Sequence, residues 1–254
     1  MAYRTAWCTD VGIRKETNQD SALLIQADSS HGPLLMAAIC DGMGGLSKGE
    51  VASACVIERL KEWFIQELPM LLRQAEFQAA LYDSWNSLIE EQNRIIASYG
   101  RQNRLSLGTT VAVLLLIGDA YYIMNVGDSR IYLLSDQAYQ LTHDQTLVQK
   151  EVDDGRMTQE EAMRDSRRNV LLQCVGASEQ VVPEMLVGES APDTGYLLCC
   201  DGFRHEISPE EMYEKLSVSS APSQQQMQQG LQELVELNKA RLEKDNITAL
   251  LIHN

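Results

Sequence analysis

The apolar run Leu34-Leu35-Met36-Ala37-Ala38-Ile39-Cys40 ends on Asp41-Gly42-Met43-Gly44-Gly45. Seven apolar residues without a break suit a strand covered on both faces, and fall far short of the ~20 a membrane span needs. The carboxylate where the run stops is a pattern that recurs. Tyr196–Cys200 leads into Asp201-Gly202, and Tyr121–Val126 into Gly127-Asp128. Asp20 stands just before Ser21–Gln26, and Asp245 just before Ile247–Ile252. Taken singly, an Asp-Gly after a strand is a turn. Taken together, five aspartates at strand ends gather at one edge of packed sheets, where they repel unless something positive lies between them. No Lys or Arg adjoins Asp41 or Asp201 in the chain. A hard divalent cation, Mg²⁺ or Mn²⁺, is the neutraliser that oxygen ligands without His or Cys favour.

Outward from this run, strands and helices alternate without a regular βαβ rhythm. Strands are expected at Tyr3–Thr9, Ser21–Gln26 and Leu34–Cys40, then at Ser106–Leu116, Ala120–Val126, Arg130–Leu134 and Ala138–Leu141. Val181–Val187, Gly195–Cys200 and Ile247–Ile252 complete the set. Helical spacing of Val51, Cys55, Leu60, Trp63 and Phe64 predicts a helix from Ser47 to about Leu68, interrupted by Pro69. A second helix, about Leu71–Tyr99, presents Phe77, Leu81, Trp85, Leu88 and Ile95 on one face. Pro209–Leu216 and a stretch from about Pro222 to Glu243 (Met227, Leu231, Leu234, Val235, Leu242) are helical too. Residues 144–170 are polar and read as short helices, Thr146–Asp154 and Gln159–Met163, on an exposed excursion. Grouped strands with pairs of helices between them imply an α+β fold, two mostly antiparallel sheets with helices outside. With no repeat and no linker, residues 1–254 are expected to form a single domain.

Composition narrows the partners. The chain has 36 acidic and 21 basic side chains, a net charge of −15. Through residue 150 the balance is 17 against 12, and beyond it 19 against nine. A surface this acidic repels a phosphate backbone, so no nucleic-acid partner is expected. The 44% hydrophobic fraction excludes disorder of the whole chain. No signal-peptide pattern and no long apolar run are present, so no membrane partner is expected. Cys40, Cys199 and Cys200 lie inside apolar runs and no CxxC pair exists, as in a reduced, cytoplasmic protein. The four histidines, 31, 143, 205 and 253, show no ligand spacing. HExxH, GxSxG and Walker A motifs are missing, and a GxGxxG fingerprint would need glycine at Ser47.

The succession Asn18-Gln19-Asp20, Asp41-Gly42-Met43-Gly44-Gly45, Gly108-Thr109-Thr110, Gly127-Asp128-Ser129-Arg130, Cys200-Asp201-Gly202-Phe203 and Asp245-Asn246-Ile247-Thr248 resembles the metal-dependent (PPM, type 2C) Ser/Thr protein phosphatases. It is similar to their compact bacterial branch in particular, and the motifs keep the family's order over nearly the whole chain. The resemblance implies a central β-sandwich flanked by pairs of α-helices, a four-layer αββα arrangement, with a flap insertion at about 144–170. It implies two to three Mn²⁺ or Mg²⁺ ions. Asp41 would contact two of them, with the Gly42 carbonyl in or behind the coordination. Asp201 and Asp245 would complete the first ion and Asp20 would orient waters on the second. A third, weaker ion would lie near Asp128 and share Asp201. Gly108-Thr109-Thr110 and Ser129 would serve packing and turns.

The implied reaction is hydrolysis of phosphoserine and phosphothreonine in proteins by a metal-activated water, opposing a Ser/Thr kinase, in a monomer. Asp41, Asp201, Asp245 and Asp20 would carry it, with no covalent nucleophile. The family's phosphate-binding arginine position falls on Lys15 when counted without a gap, with Arg14 beside it; either residue could steer phosphate. Some positions depart from the family pattern. Met43 stands where many eukaryotic members carry a histidine proposed as general acid, Gln19 replaces a frequent glutamate, and Asp144-Gln145-Thr146 replaces Asp-His-Ser. Arg164, Arg167 and Arg168 form a basic knot in the flap, readable as a solvated helix end or as a docking contact for an acidic or phosphorylated segment. Two other readings use the same fold: a catalytically silent binding or scaffold protein, and a phosphatase of a small phosphorylated metabolite. The intact set Asp20, Asp41, Asp201 and Asp245 weighs against the silent one.

Overall fold

The computed structural model describes residues 3–44 and 48–254. Gly45 of the glycine cluster and Ser47, the expected helix start, lie outside the described residues. Strands β1 (Arg4–Asp10), β2 (Asp20–Ser29) and β3 (Gly32–Gly44) lead into α1 (Gly49–Gln66), the single turn α2 (Leu68–Leu71) and α3 (Phe77–Asn103). Five strands follow: β4 (Leu107–Thr109), β5 (Val111–Ile117), β6 (Ala120–Val126), β7 (Arg130–Leu134) and β8 (Ala138–Gln140). Helices α4 (Leu147–Asp153) and α5 (Gln159–Arg164) make the excursion. The chain closes with β9 (Glu184–Glu189), β10 (Gly195–Cys199), α6 (Asp201–Arg204), α7 (Pro209–Leu216), α8 (Gln224–Ala240) and β11 (Ile247–His253).

One sheet runs β1-β11-β10-β7-β8 and the other β2-β3-β5-β6-β9, with β4 added along the tail of β3. Neighbouring strands pair antiparallel throughout. The unbroken run in β3 has a simple cause. Leu35, Ala37 and Ile39 belong to the core between the sheets. Leu34, Met36, Ala38 and Cys40 alternate with them and pack into a second core with α1 and α3. Helices α7 and α8 cover the other sheet through Met212, Leu216, Met227 and Leu231. The result is the helix–sheet–sheet–helix order expected of the α+β sandwich. Beneath α1 and α3, Trp63 and Trp85 meet with ring centroids 5.7 Å apart. Truncating either to alanine would cost about 3–5 kcal/mol.

The structure differs from the sequence reading at several points. β3 does not stop at Cys40; it continues to Gly44, because β4 pairs with Gly42, Met43 and Gly44. The single strand expected over Ser106–Leu116 is two, broken at Thr110. Pro69 does not separate two long helices directly. It sits in the first turn of α2, where its missing N–H is tolerated, and α3 begins only at Phe77. Ile95 is 46% exposed, whereas Ile96 is buried in its place. The buried stripe of α3 also carries Gln92 and Asn93. Asn93 accepts the Gly176 N–H at 2.6 Å and donates to the Ser178 carbonyl at 3.0 Å, so its polarity is used. Leu242, expected on the buried face of α8, lies beyond the helix end at φ 68° and is exposed. All six cysteines are free thiols. No described helix is long and apolar enough to cross a membrane.

Candidate metal centre

Antiparallel pairing of β2 with β3 sets Asp20 directly opposite Asp41. Cα atoms of such partners lie ~4.5–5.5 Å apart, close enough for both carboxylates to face one ligand. The Asp41 backbone is pinned on both sides. Its N–H donates to Thr110 Oγ1 at 2.9 Å, and its carbonyl accepts from the Thr110 N–H at 2.9 Å and Thr109 Oγ1 at 3.0 Å. Thr110 Oγ1 in turn meets Ser129 Oγ at 2.8 Å. The Gly-Thr-Thr and Gly-Asp-Ser-Arg motifs thus hold Asp41 in place. Gly42 is required by crowding: a Cβ there would lie 2.3 Å from the Gly49 carbonyl at the start of α1.

Asp201 and Asp245 arrive from the other sheet. Asp201 is the first residue of α6, directly after β10, so this Asp-Gly opens a helix rather than a turn. Gly202 allows α6 to pass close to the loop before β11, since a Cβ there would lie 2.2 Å from the Asn246 carbonyl. Asn246 also ties this loop to the N-terminal one. It accepts the Gln19 N–H at 2.9 Å and donates to the carbonyls of Val11 and Thr17 at 3.0 and 3.2 Å. In the sequence this residue carries no signal beyond its place in Asp245-Asn246-Ile247-Thr248. Asp245 Oδ1 takes Lys15 Nζ at 2.6 Å. Lys244, its neighbour in the chain, is exposed, as is Arg14.

The electrostatics couple the four carboxylates. Burial, then the charges of Asp20, Asp201, Asp128 and Asp245, push the Asp41 carboxyl well above its ordinary range. Burial holds Asp20 up at about 7, with Asp201 and Asp245 adding to it. The Thr248 hydroxyl and Cys200 thiol pull Asp20 the other way, yet neither makes a well-formed hydrogen bond to it. Both Asp20 carboxylate oxygens and Asp201 Oδ1 are buried without a hydrogen-bond partner. Orphaned acceptors of this kind are costly unless a cation or ordered water answers them. Among the described residues no three side chains close into a finished coordination set. The donors nonetheless fit a hard divalent ion: oxygen atoms alone, converging from β2, β3, α6 and the loop before β11. Lys15 partly offsets the cluster, and the Asp245 carboxylate raises its pKa although burial works against its charge.

Asp128 lies in a different setting. Its Oδ2 is 3.1 Å from Arg204 Nη2, which also donates to the Asp128 carbonyl at 3.0 Å. Arg204 approaches Asp144 at 3.5 Å, and Asp144 is gripped by Arg130 through bonds of 2.8 and 2.7 Å. Burial raises the Asp128 carboxyl to about 6 even against Arg204. The expected metal role of Asp128 therefore meets a competing cation.

A cavity of ≈ 870 Å³ opens beside this corner, between the α4–α5 excursion and α6–α7, with Arg130, Asp144, Met163, Arg168 and Arg204 in its wall. The four clustered aspartates do not line it. Of the flap arginines, Arg167 is tied to Asp165 at 2.8 Å and to Glu151 at 3.4 Å. Arg168 caps the Met163 carbonyl at 3.2 Å. The basic knot is in part neutralised by its own segment.

Comparison with known proteins identifies the family and the fold. A family model described as protein phosphatase 2C matches residues 13–237. The serine/threonine phosphatase Stp of Listeria monocytogenes is 30% identical over 247 residues, 96% of this chain and 93% of that protein. The serine/threonine protein phosphatase PstP of Mycobacterium tuberculosis is 30% identical over 254 residues, and this chain spans 45% of its length. A solved PstP catalytic domain in complex with two manganese ions superposes with a TM-score of 0.78 at 29% identity, covering 99% of both chains. The motifs, the fold and these matches together place the chain in the protein phosphatase 2C family.

Proposed function

We propose that the chain hydrolyses phosphoserine and phosphothreonine in proteins, using Mn²⁺ or Mg²⁺ held by Asp20, Asp41, Asp201 and Asp245 with the Gly42 carbonyl beside them. The observation that carries this reading is the set of buried, unpartnered carboxylate oxygens on Asp20 and Asp201 at a junction of four aspartates. Divalent ions bound there supply a water of lowered pKa and positive charge that offsets the phosphoryl oxygens. The chain's own residues supply position. Asp41 is fixed by Thr109 and Thr110, and Asp201 by the turn of α6. Lys15, held at the rim by Asp245, and exposed Arg14 in the same loop are the candidates for guiding the phosphate dianion inward. Met43 offers no proton, so the leaving alkoxide is protonated from water. Substrates would be phosphoproteins made by an opposing Ser/Thr kinase.

The test is phosphate release from phosphothreonine and phosphoserine peptides, p-nitrophenyl phosphate and a panel of sugar and nucleotide phosphates, with Mn²⁺ or with chelator. Mn²⁺-dependent release from the peptides is expected. Release from small metabolites alone would move the reading to a metabolite phosphatase. Mn²⁺ binding with no turnover of any substrate would make the chain a silent binding protein. Full activity in chelator would overturn the metal role.

A further inference from the structure

We propose that Arg204 is a built-in cation that takes the place of a third metal ion, so that Asp128 is not a metal ligand and the chain holds two divalent ions. The inference rests on the metal-centre reading above and goes beyond it. Arg204 lies three positions after Asp201 on α6, so a single helical turn delivers a carboxylate to the metal cluster and a guanidinium to the corner next to it. The guanidinium is well sheltered: the Arg204 and Asp128 side chains are 9% and 6% exposed. One Nη2 bonds both the carboxylate and the carbonyl of Asp128, at 3.1 and 3.0 Å, which fixes the residue's backbone as well as its charge.

Charge counting separates this corner from the cluster. Asp128 and Asp144 face Arg204 and Arg130, two carboxylates against two guanidiniums. Among the described residues, the cations paired with Asp20, Asp41, Asp201 and Asp245 are the Lys15 ammonium on Asp245 and the His205 ring, 3.7 Å from Asp201. A divalent ion entering at Asp128 would have to displace a buried guanidinium whose remaining partner, Asp144, is already taken by Arg130. Leaving a buried charge unpaired is strongly unfavourable. An ion entering at the cluster displaces no guanidinium, since both Asp20 oxygens and Asp201 Oδ1 have no hydrogen-bond partner.

The test is metal stoichiometry rather than turnover. Free Mn²⁺ is followed by electron paramagnetic resonance during titration of the wild type, Asp128→Asn, Arg204→Ser and Arg204→Lys. The wild type and Asp128→Asn are each expected to take up about two ions, in keeping with a two-metal site. Arg204→Ser is expected to gain roughly one further, weaker ion, and Arg204→Lys, which keeps the charge, to stay at about two. Uptake of a third ion by the wild type that Asp128→Asn abolishes would overturn the proposal, as would an Arg204→Ser variant that gains none. No ion bound by the wild type would overturn the metal-centre reading itself. Melting in chelator then decides the ion pair alone. Arg204→Met should melt below the wild type, and adding Asp128→Asn should recover part of the loss. No recovery would contradict the pairing.

Discussion

Two groups of buried aspartates lie side by side in this molecule, and the chain treats them oppositely. At the Asp128–Asp144 corner each carboxylate is answered from within, by Arg204 and by the two-pronged grip of Arg130. At the Asp20–Asp41–Asp201–Asp245 junction the carboxylates disfavour one another's charge, and both oxygens of Asp20 and Oδ1 of Asp201 have no hydrogen-bond partner, with Lys15 on Asp245 and the His205 ring 3.7 Å from Asp201 as partial compensation. Asp201, at 7% exposure, is as buried as Asp128 at 4% and Asp144 at 7%, so burial alone does not mark a metal site. The discriminating feature is whether the fold itself provides the compensating charge. Where it does, the acid is structural; where it does not, the acid is available to an ion.

The largest way to break this contrast is Asp41→Asn. Phosphate release from a phosphothreonine peptide should fall by about a thousandfold or more, roughly 4 kcal/mol at 1.36 kcal/mol per decade. Thermal melting in chelator should show no loss of stability, because the change removes a carboxyl whose ionised form burial and the neighbouring aspartates disfavour. The mirror experiment at the other corner is Arg130→Met, which leaves Asp144 with the longer Arg204 contact at 3.5 Å and the Gln140 amide at 3.0 Å. It should lower folding stability by about 3 kcal/mol in urea titrations with or without metal. A fall that metal reverses would mean that the corner, too, takes an ion.

A pH series in chelator sharpens the comparison. Asp20, raised from 3.8 to about 7, and Asp41, raised well above its ordinary value, bind protons in the folded chain that the unfolded chain has released. Their contribution to stability is therefore fully present below about pH 4 and is lost as pH rises through 7. Melting temperatures in chelator should decline across that window, and saturating Mn²⁺ should flatten the decline. The same slope with and without Mn²⁺ would show that no ion engages these carboxylates. The smallest expected effect is at Thr110→Val, which removes the hydroxyl between the Asp41 N–H and Ser129. About 1–2 kcal/mol of stability should be lost, read from the urea midpoint at unchanged slope.

Much of this was legible in the sequence, for physical reasons that differ from element to element. β3 announced itself because a strand covered on both faces has no position for a polar residue until Asp41. The aspartates at strand ends were legible as a group because their repulsion demands an explanation. Their exact surroundings were not. Sequence adjacency was a poor guide to which cations lie near: Lys15 meets Asp245 from the far end of the chain, while adjoining Lys244 is exposed. Helix α6 has only four residues, too few for any periodicity, and so the turn that carries Arg204 to Asp128 went unseen. Ile95 was misplaced because neighbouring isoleucines both suit an apolar stripe, and the packing chose Ile96. Asn246 left no signal beyond its place in a motif, since its three bonds join segments far apart in the chain.

The central contrast is tested most directly by anomalous diffraction at the manganese edge from crystals grown in Mn²⁺. The account predicts anomalous peaks within coordinating distance of Asp41, Asp201, Asp245 and Asp20, with Arg204 still paired to Asp128 and no peak there. A manganese peak on Asp128 with Arg204 turned away, or no peak at Asp41, would contradict it.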